Sequence, residues 1–436
     1  MFPGNQPRLD APAASATNRN DMDASDLPQT PRYERKREII LEAAAALFNA
    51  HGLGGTTIAD VAKSVGLTTT SVTYYYRRKE DLAAACLMRS LAAMDALITR
   101  AEADADSPPA RLTRLLALYF EELAATAEGR IAAGMNFWDI RALTGPAAAT
   151  TAAAFIALFR RIRALFREPH ASGRPEPRFS HAERNSRAHL VLSALIRSKG
   201  WVVRYEAADY PRAAARMADI LIHGLAGPGR VWAPVPLRLC EPAREGHEVS
   251  RETFLRAATE LLNEHGYRGA SVERISARLN VTKGSFYHHN DTKDDLVAAC
   301  FGQTFAVIRR AHAVAMAGGG DGWTQLCSIP AALLRHHLSA NGPLLRLSAL
   351  SATAETLRPG LLATFTRLTE KTAGLIADGI GDGSIRPVDA TIAAEMVNGM
   401  VNAAVELNRW WPATTMDNAA ELFARPLLTG VFNPGR

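Results

Sequence analysis

Apolar residues recur every three or four positions along most of the chain, which is the spacing of one buried face of an α-helix. Strand-forming residues are sparse, and Gly and Pro gather in a few short stretches where they would end helices. Between residues 33 and 50 the apolar stripe consists of Ile39, Ile40, Ala43, Ala44, Leu47 and Phe48. The pattern therefore predicts an all-α protein.

The chain repeats itself at a constant offset of 214 positions. Residues 37–86 align without a gap with residues 251–300, and about 18 of the 50 positions are identical. The shared anchors in the first copy are Asn49, His51, Gly52, Gly55, Thr68 and Ser71. A period this long indicates two duplicated whole units rather than the short repeats of a solenoid.

The first copy carries the start and stop signals of three successive helices. Gly52 can end the first helix, because glycine past the last turn tolerates a left-handed backbone. Thr57 stands as the N-cap of a second helix, with Asp60 three residues later in a pattern close to a capping box. Gly66 then makes a turn, and Thr68 caps a third, short helix.

The second copy repeats these signals, with Ser271 and Thr282 in the capping positions. Two short helices joined by a tight turn, after a packed first helix, predict a helix-turn-helix. The third helix is short enough to enter a major groove, and the free amides of its first turn suit a phosphate.

Within this segment both copies resemble the TetR family of transcription regulators. The family's run of hydroxyl, Lys-Gly, hydroxyl and aromatic-aromatic-His, followed by a later Lys, is visible at residues 281–289 and 293. The first copy has the corresponding run at 67–76 and 79, but Thr69-Thr70 replaces the Lys-Gly pair.

The resemblance implies a DNA-contacting role for each exposed position of the third helix. Base edges or phosphates would be contacted in the first copy by Thr69, Thr70 and Thr73. The DNA backbone would be held there by Tyr74, Tyr75 and Lys79. In the second copy the residues near the bases would be Lys283, Gly284 and Tyr287, and those on phosphate His289 and Lys293.

The resemblance also divides the chain into two tandem units, each a helix-turn-helix headpiece followed by a helical domain for ligand binding and dimerisation. We predict a disordered tail at 1–31, a first headpiece at 32–80, a first helical domain at 81–226, a linker at 227–248, a second headpiece at 249–294 and a second helical domain at 295–436. Helices of the first helical domain are expected near 109–127, 130–143, 147–167, 181–205 and 210–226. Those of the second are expected near 296–316, 323–339, 343–354, 357–380, 388–408 and 415–430.

The two headpieces differ in net charge. The whole chain has a formal net charge of +6, which permits a polyanionic partner without requiring one. Residues 32–86 carry +2 and residues 250–300 carry 0. Because a neutral surface gains little from counterion release, DNA binding is predicted more firmly for the first copy. The two recognition helices also differ in sequence, which predicts an operator that is not palindromic.

The helical domains offer apolar pocket candidates but few polar groups. The candidates are Tyr119, Met135, Phe137, Trp138 and Phe155 in the first domain, and Trp323, Leu333, Leu334, Phe365 and Met396 in the second. Ordinary core packing at helical spacing is the alternative interpretation of each. The sequence segments 200–205 and 408–411 resemble the corresponding segments of family members that sense acyl-CoA or hydrophobic acids. This resemblance implies a small hydrophobic or acyl-type effector.

Other classes of protein are less well supported. Phosphate-binding loops, nucleophile elbows and zinc-protease motifs are absent from the sequence, so we expect neither an enzyme nor a cofactor. His336 and His337 point about 100° apart on a helix, which makes a poor chelate, and no metal is expected. No stretch approaches the roughly 18 consecutive apolar residues of a membrane span. The four cysteines, expected as buried thiols of a cytoplasmic protein, are Cys86, Cys240, Cys300 and Cys327.

Fusion of two such units suggests that one chain forms an internal pseudo-dimer, with its two recognition helices about one turn of DNA apart. Operator DNA and a small effector are the expected partners. Whether two such chains also form a homodimer is left open. Repression is the family's usual mode, and activation stays open as well. The alternative is a ligand-binding or protein-interaction module in which one or both headpieces no longer bind DNA.

Overall fold

The computed structural model describes residues 30–137, 140, 143–167, 179–239, 251–279, 292–353, 356–404 and 414–434. In these residues the secondary structure is helical, apart from one isolated antiparallel bridge between Ala226 and Ile385. The all-α prediction is confirmed. The first unit contains α1 (Pro31–Gly55), α2 (Ile58–Ser64), α3 (Thr69–Tyr75), α4 (Lys79–Asp104), α5 (Pro108–Ala127), α6 (Pro146–Ala164), α7 (His181–Val202) and α8 (Tyr210–His223).

The second unit repeats this order. Its helices are α9 (Arg251–Gly269), α10 (Val272–Leu279), α11 (Lys293–Ala317), α12 (Gly322–Leu338), α13 (Arg358–Gly381), α14 (Ala390–Ala404) and α15 (Arg425–Thr429). Shorter turns are the 3-10 helices Ala207–Asp209 and Leu347–Ala352 and the π-helix Ala420–Ala424.

The first headpiece packs α1, α2 and α3 onto the start of α4. Its core is formed by fully buried side chains that include Phe48, Val61, Val72 and Leu82. Burial of each large apolar side chain contributes roughly 1.5–3 kcal/mol. Gly52 interrupts α1 with a φ of 69°, which confirms the predicted break in this helix. Because α4 runs for 26 residues without a break, it connects the headpiece directly to the first helical domain.

The second headpiece has the same arrangement in its described part. Phe254, Ile275 and Leu296 fill its core, and Gly266 breaks α9 with a φ of 68°. Residues 280–291 lie outside the described residues. The predictions for Thr282, Lys283, Gly284, Tyr287 and His289 therefore fall outside them as well.

Two predicted helices are wrong. Residues 130–136 form a bend and irregular backbone instead of the start of a helix at 130–143. Residues 343–346 are likewise not helical, and only a 3-10 turn follows at Leu347–Ala352. In each segment one backbone amide, that of Asn136 or of Arg346, donates to an asparagine side chain of the headpiece instead of to a carbonyl of a helical turn.

The first part of the predicted linker is packed against the second unit. The indole Nε1 of Trp323 donates to Val231 O at 2.8 Å, and Val235 N donates to Ser328 Oγ at 2.9 Å. Residues 227–239 thus run along α12. The remainder of the predicted linker, 240–248, lies outside the described residues.

The two helical domains share one hydrophobic core, in which α7 and α8 meet α14 and α15. The ends of α8 and α15 come close, since Leu225 N donates to Leu428 O at 2.7 Å and Val431 N donates to Leu221 O at 2.8 Å. Gly224 makes this approach possible, because it has a φ of 70° and a Cβ there would overlap the backbone of Leu428.

Charged side chains join the same helices around that core. Arg187 is buried and donates through Nε to Val431 O at 3.0 Å. Arg386 donates to the carboxylate of Asp219 at 2.7 Å. These hydrogen bonds link residues of the first unit with residues of the second.

In the described part of the chain, α4 alone has the length and apolar composition that crossing a membrane requires. Half of its most apolar window is buried inside the protein. The core helix of a folded domain passes the same test, so this finding is weak support for a membrane span.

Candidate nucleic-acid interface

The second helix of the first headpiece is held by a reciprocal cap. Thr57 Oγ1 accepts from Asp60 N at 3.2 Å, and Thr57 N donates to Asp60 Oδ2 at 2.8 Å. The hydrogen bond from the Thr57 hydroxyl is the main reason why the pKa of Asp60 lies below its usual value. Gly66 follows with a φ of 66° and turns the chain towards α3.

The recognition helix α3 begins as predicted at its cap. Thr68 Oγ1 accepts from Ser71 N at 3.2 Å, and Val72 is the fully buried anchor of the helix. Thr69 and Thr70 are exposed on the first turn. Thr73 is half-buried, and its hydroxyl donates to Thr70 O at 3.0 Å. The first turn of α3 therefore presents short hydroxyl side chains to the solvent.

An aromatic cluster lies at the end of α3. Tyr74 is 75% exposed, and its ring meets that of Tyr75 edge to face at 5.3 Å. Burial is the main reason why the pKa of Tyr75 is raised. Lys79, the first residue of α4, is half-buried.

Sequence reasoning missed Tyr33, which belongs to this cluster. Its ring lies 4.7 Å from that of Tyr75 and 6.3 Å from that of Tyr74. On the same helix, Arg37 Nε donates to the hydroxyl of Tyr76 at 2.9 Å. The basic run formed by Arg32, Arg35, Lys36 and Arg37 is visible in the sequence, but contacts over about 40 positions leave no signal in local spacing.

Of the residues predicted to contact DNA in the second copy, only Ser271 and Lys293 lie within the described residues. Ser271 Oγ accepts from Arg274 N at 3.3 Å, so Ser271 caps α10 as predicted. Lys293 begins α11, and its ammonium lies 4.2 Å from the centre of the Tyr267 ring. The Tyr267 hydroxyl in turn donates to Asp294 Oδ1 at 2.8 Å. This cation–π contact fixes Lys293 at the edge of the headpiece.

The pocket candidates of the first unit lie in two different cores. Tyr119 is buried in the core of the helical domain, where burial raises its pKa. Met135 is buried in the core of the headpiece. Phe137 contacts both cores and meets Phe155 edge to face at 6.1 Å. Trp138 lies outside the described residues.

The candidates of the second unit are also dispersed. Trp323 is buried beneath the segment 227–239, and Phe365 packs on the core of the second headpiece. Leu333 and Leu334 are buried in the shared core of the helical domains. Met396 lines a groove between α7 and α14 whose enclosed part is about the size of one water molecule. The structure thus does not bring the candidates together in one cavity.

Known proteins resemble the two headpieces. The domain family described as bacterial regulatory proteins, tetR family, matches residues 40–86 and 254–300. The transposon Tn10 TetC protein of Escherichia coli is 34% identical over 86 residues, which are 20% of this chain and 43% of TetC. The regulator BetI of Burkholderia mallei is 32% identical over 97 residues, or 22% of this chain and 50% of BetI.

The chain spans about half the length of these curated relatives. Among solved structures, the TetR family regulator PfmR of Thermus thermophilus is 23% identical, with a TM-score of 0.35, and the alignment covers 42% of this chain and 98% of PfmR. With two matches to the same domain model, the chain carries two tetR-family DNA-binding domains in tandem.

Proposed function

We propose that the protein is a DNA-binding transcription regulator whose first headpiece reads operator DNA through α3. The observation that carries the proposal is the surface of α3, where Thr69 and Thr70 are exposed on the first turn and Tyr74 on the last. Hydroxyl groups suit base edges and phosphates, and tyrosines at the helix end suit the backbone. Since operator DNA lies inside the cell, the proposal also places the protein in the cytoplasm.

A gel-shift assay on the promoter region beside the protein's own reading frame tests this proposal. The double variant Tyr74→Ala/Tyr75→Ala is expected to lose binding, and binding of the wild type is expected to weaken steeply with salt. Val203→Ala is the matched control, because Val203 is also exposed but lies at the end of α7 in the helical domain. Absence of wild-type binding at low salt would contradict the proposal.

We further propose that the two units act as a pseudo-dimer within one chain and hold both recognition helices against one operator. The shared core of the helical domains supports this arrangement, as do the hydrogen bonds that Arg187 and Arg386 make from one unit to the other. The domain boundaries proposed above follow from the same division. The operator sites of the two headpieces would differ, because their recognition helices differ in sequence.

The effector is proposed to be a small hydrophobic or acyl-type molecule that releases a repressor from DNA. Support comes from the apolar surroundings of Tyr119 and Phe155 in the first helical domain. Such a ligand must bind the two headpiece arrangements unequally. A series of fatty acyl-CoA thioesters of increasing chain length is expected to raise Tm and to weaken DNA binding together. A rise in Tm with unchanged DNA affinity would contradict release.

The alternative function, a ligand-binding or protein-interaction module, is favoured for the second headpiece by its net charge of zero over residues 250–300. The gel-shift assay with the variant Lys283→Ala/Tyr287→Ala distinguishes a second headpiece that binds DNA from one that is such a module. If it binds DNA as the wild type does, the second headpiece has a structural or sensory role.

A further inference from the structure

One asparagine in each headpiece hydrogen-bonds the same segment of its own helical domain. Asn49 Nδ2 donates to Gly134 O at 3.0 Å, and Asn49 Oδ1 accepts from Asn136 N at 2.8 Å. The side-chain amide therefore pairs with the segment as a neighbouring strand would, through one donor and one acceptor. Asn49 lies on α1, whereas the segment 134–137 follows α5.

The second unit contains the same arrangement. Asn263 Nδ2 donates to Leu344 O at 2.8 Å, and Asn263 Oδ1 accepts from Arg346 N at 3.0 Å. Asn263 is the residue that aligns with Asn49 in the repeat. Two copies that differ at most positions have thus kept both the residue and its pair of hydrogen bonds.

Each segment also contacts the long helix of its own unit, α4 or α11, and buries one apolar side chain in the core of its headpiece. In the first unit Gly134 lies against α4, since a Cβ on it would come within 2.9 Å of Ser90 Oγ. Met135 then fills the headpiece core. In the second unit Leu345 N donates to Thr304 Oγ1 at 2.9 Å, and Leu345 fills the corresponding core.

From this geometry we propose that Asn49 and Asn263 are positioning residues that fix the orientation of each headpiece on its helical domain. They thereby set the separation of the two headpieces. The α4 and α11 helices alone allow each headpiece to tilt about a single helix. A second attachment, at the side-chain amide, removes that freedom. The proposal rests on the proposed function only where it concerns DNA affinity.

Distances between spin labels test the proposal without DNA. Labels are placed by Lys63→Cys and Ala277→Cys, which are exposed and equivalent positions of the two headpieces, in a Cys240→Ser background. The native thiols Cys86, Cys300 and Cys327 are buried and their pKa values are raised, so they do not react with the label. With Asn49 and Asn263 both present, the distance between the two labels is expected to have a narrow distribution.

Asn49→Ala and Asn263→Ala are each expected to broaden or shift this distribution, and the double variant more than either. Operator Kd is expected to rise on the order of tenfold in parallel. Asn185→Ala is the matched control, because Asn185 is a buried asparagine on α7 of the first helical domain with two side-chain hydrogen bonds, to Arg163 and His181. It should leave the distribution unchanged.

An unchanged distribution in a folded double variant would overturn the proposal. If the variants do not fold, hydrogen exchange of the wild-type protein tests the proposal instead. The backbone amides of Asn136 and Arg346 should be protected from exchange. Exchange of these amides at the rate of free amides would also overturn the proposal. Broadening in a protein that binds no DNA would support the positioning role while contradicting the proposed function.

Discussion

The ring of Tyr33 on α1 packs at a tilt of 36° against that of Tyr75 at the end of α3, with ring centres 4.7 Å apart. The contact joins the first turn of the headpiece to the residues that are proposed to hold the DNA backbone. Tyr33 thus extends the candidate interface beyond the helix-turn-helix itself, into the basic run at the start of α1.

Loss of this contact should weaken DNA binding without removing a recognition residue. For Tyr33→Ala we expect Kd for operator DNA to rise about two- to tenfold, since an aromatic pair contributes about 0.5–1.5 kcal/mol. Tyr33→Phe keeps the ring and should bind as the wild type does. Fluorescence anisotropy with labelled duplex measures both, and equal affinities of the two variants would show that the ring contact has no role.

The caps of α2 and α10 should differ in strength. The Thr57 cap is reciprocal with Asp60, whereas Arg274 stands at the equivalent position in the second copy and cannot return the hydrogen bond. Thr57→Ala is expected to cost about 1 kcal/mol locally. Amides of α2 should then exchange about fivefold faster with solvent. Asp60→Asn should also accelerate exchange in α2.

The sign of the pH effect on this cap follows from the lowered pKa of Asp60. The carboxylate is favoured in the folded state, so its contribution is present above the ordinary carboxyl pKa and is lost as the pH falls through the lower folded value. Exchange in α2 should therefore be unaffected by pH changes near neutrality, once the intrinsic exchange rate is taken into account. A loss of protection already near pH 6 would contradict this account.

His312 should make the protein less stable in mild acid. It is buried beside Thr372, and burial lowers its pKa to about 4. Above pH 6.5 the imidazole is neutral in both states and has no effect. Between pH 6.5 and 4 only the unfolded chain takes up the proton, so stability falls, by on the order of 3 kcal/mol in total.

Urea unfolding at pH 7 and pH 5 measures this effect. His312→Gln should flatten the dependence on pH, whereas His265→Gln should not, because His265 is exposed. The same pH dependence in wild type and His312→Gln would assign the acid sensitivity to other groups.

The close approach of α8 and α15 requires glycine. Gly224→Ala would place a Cβ on the backbone of Leu428 at a positive φ, and a loss of more than about 1 kcal/mol is expected. Gly374→Ala is the matched control, since Gly374 lies within a helix with open space around it, and it should be neutral or slightly stabilising. Thermal unfolding compares them, and an equal Tm for both variants would show that the helix ends can separate without cost.

Much of the fold follows from the sequence because local signals and the repeat agree. The caps at Thr57, Thr68 and Ser271 and the break at Gly52 are local features, and each is found where it was predicted. The non-helical segment after α5 was not predictable in this way. Its apolar residues have helical spacing, but the hydrogen bonds of Asn49 come from a residue 85 positions away and override that preference.

The candidate site was predictable to a similar degree. The exposure of Thr69, Thr70 and Tyr74 on α3 agrees with the motif, and their contacts with DNA stay a prediction. Tyr33 was missed, and Met135 was assigned to a pocket although it fills the headpiece core. Both depend on tertiary packing between helices that are distant in the sequence.

The number of chains on one operator tests the central claim most directly. The chain has a mass of 47.1 kDa, and mass photometry at nanomolar concentration resolves one chain from two on a short duplex. One chain per duplex is expected, with two protected patches about one helical turn apart in a footprint. Two chains per duplex, or a chain that is already dimeric at nanomolar concentration without DNA, would contradict it.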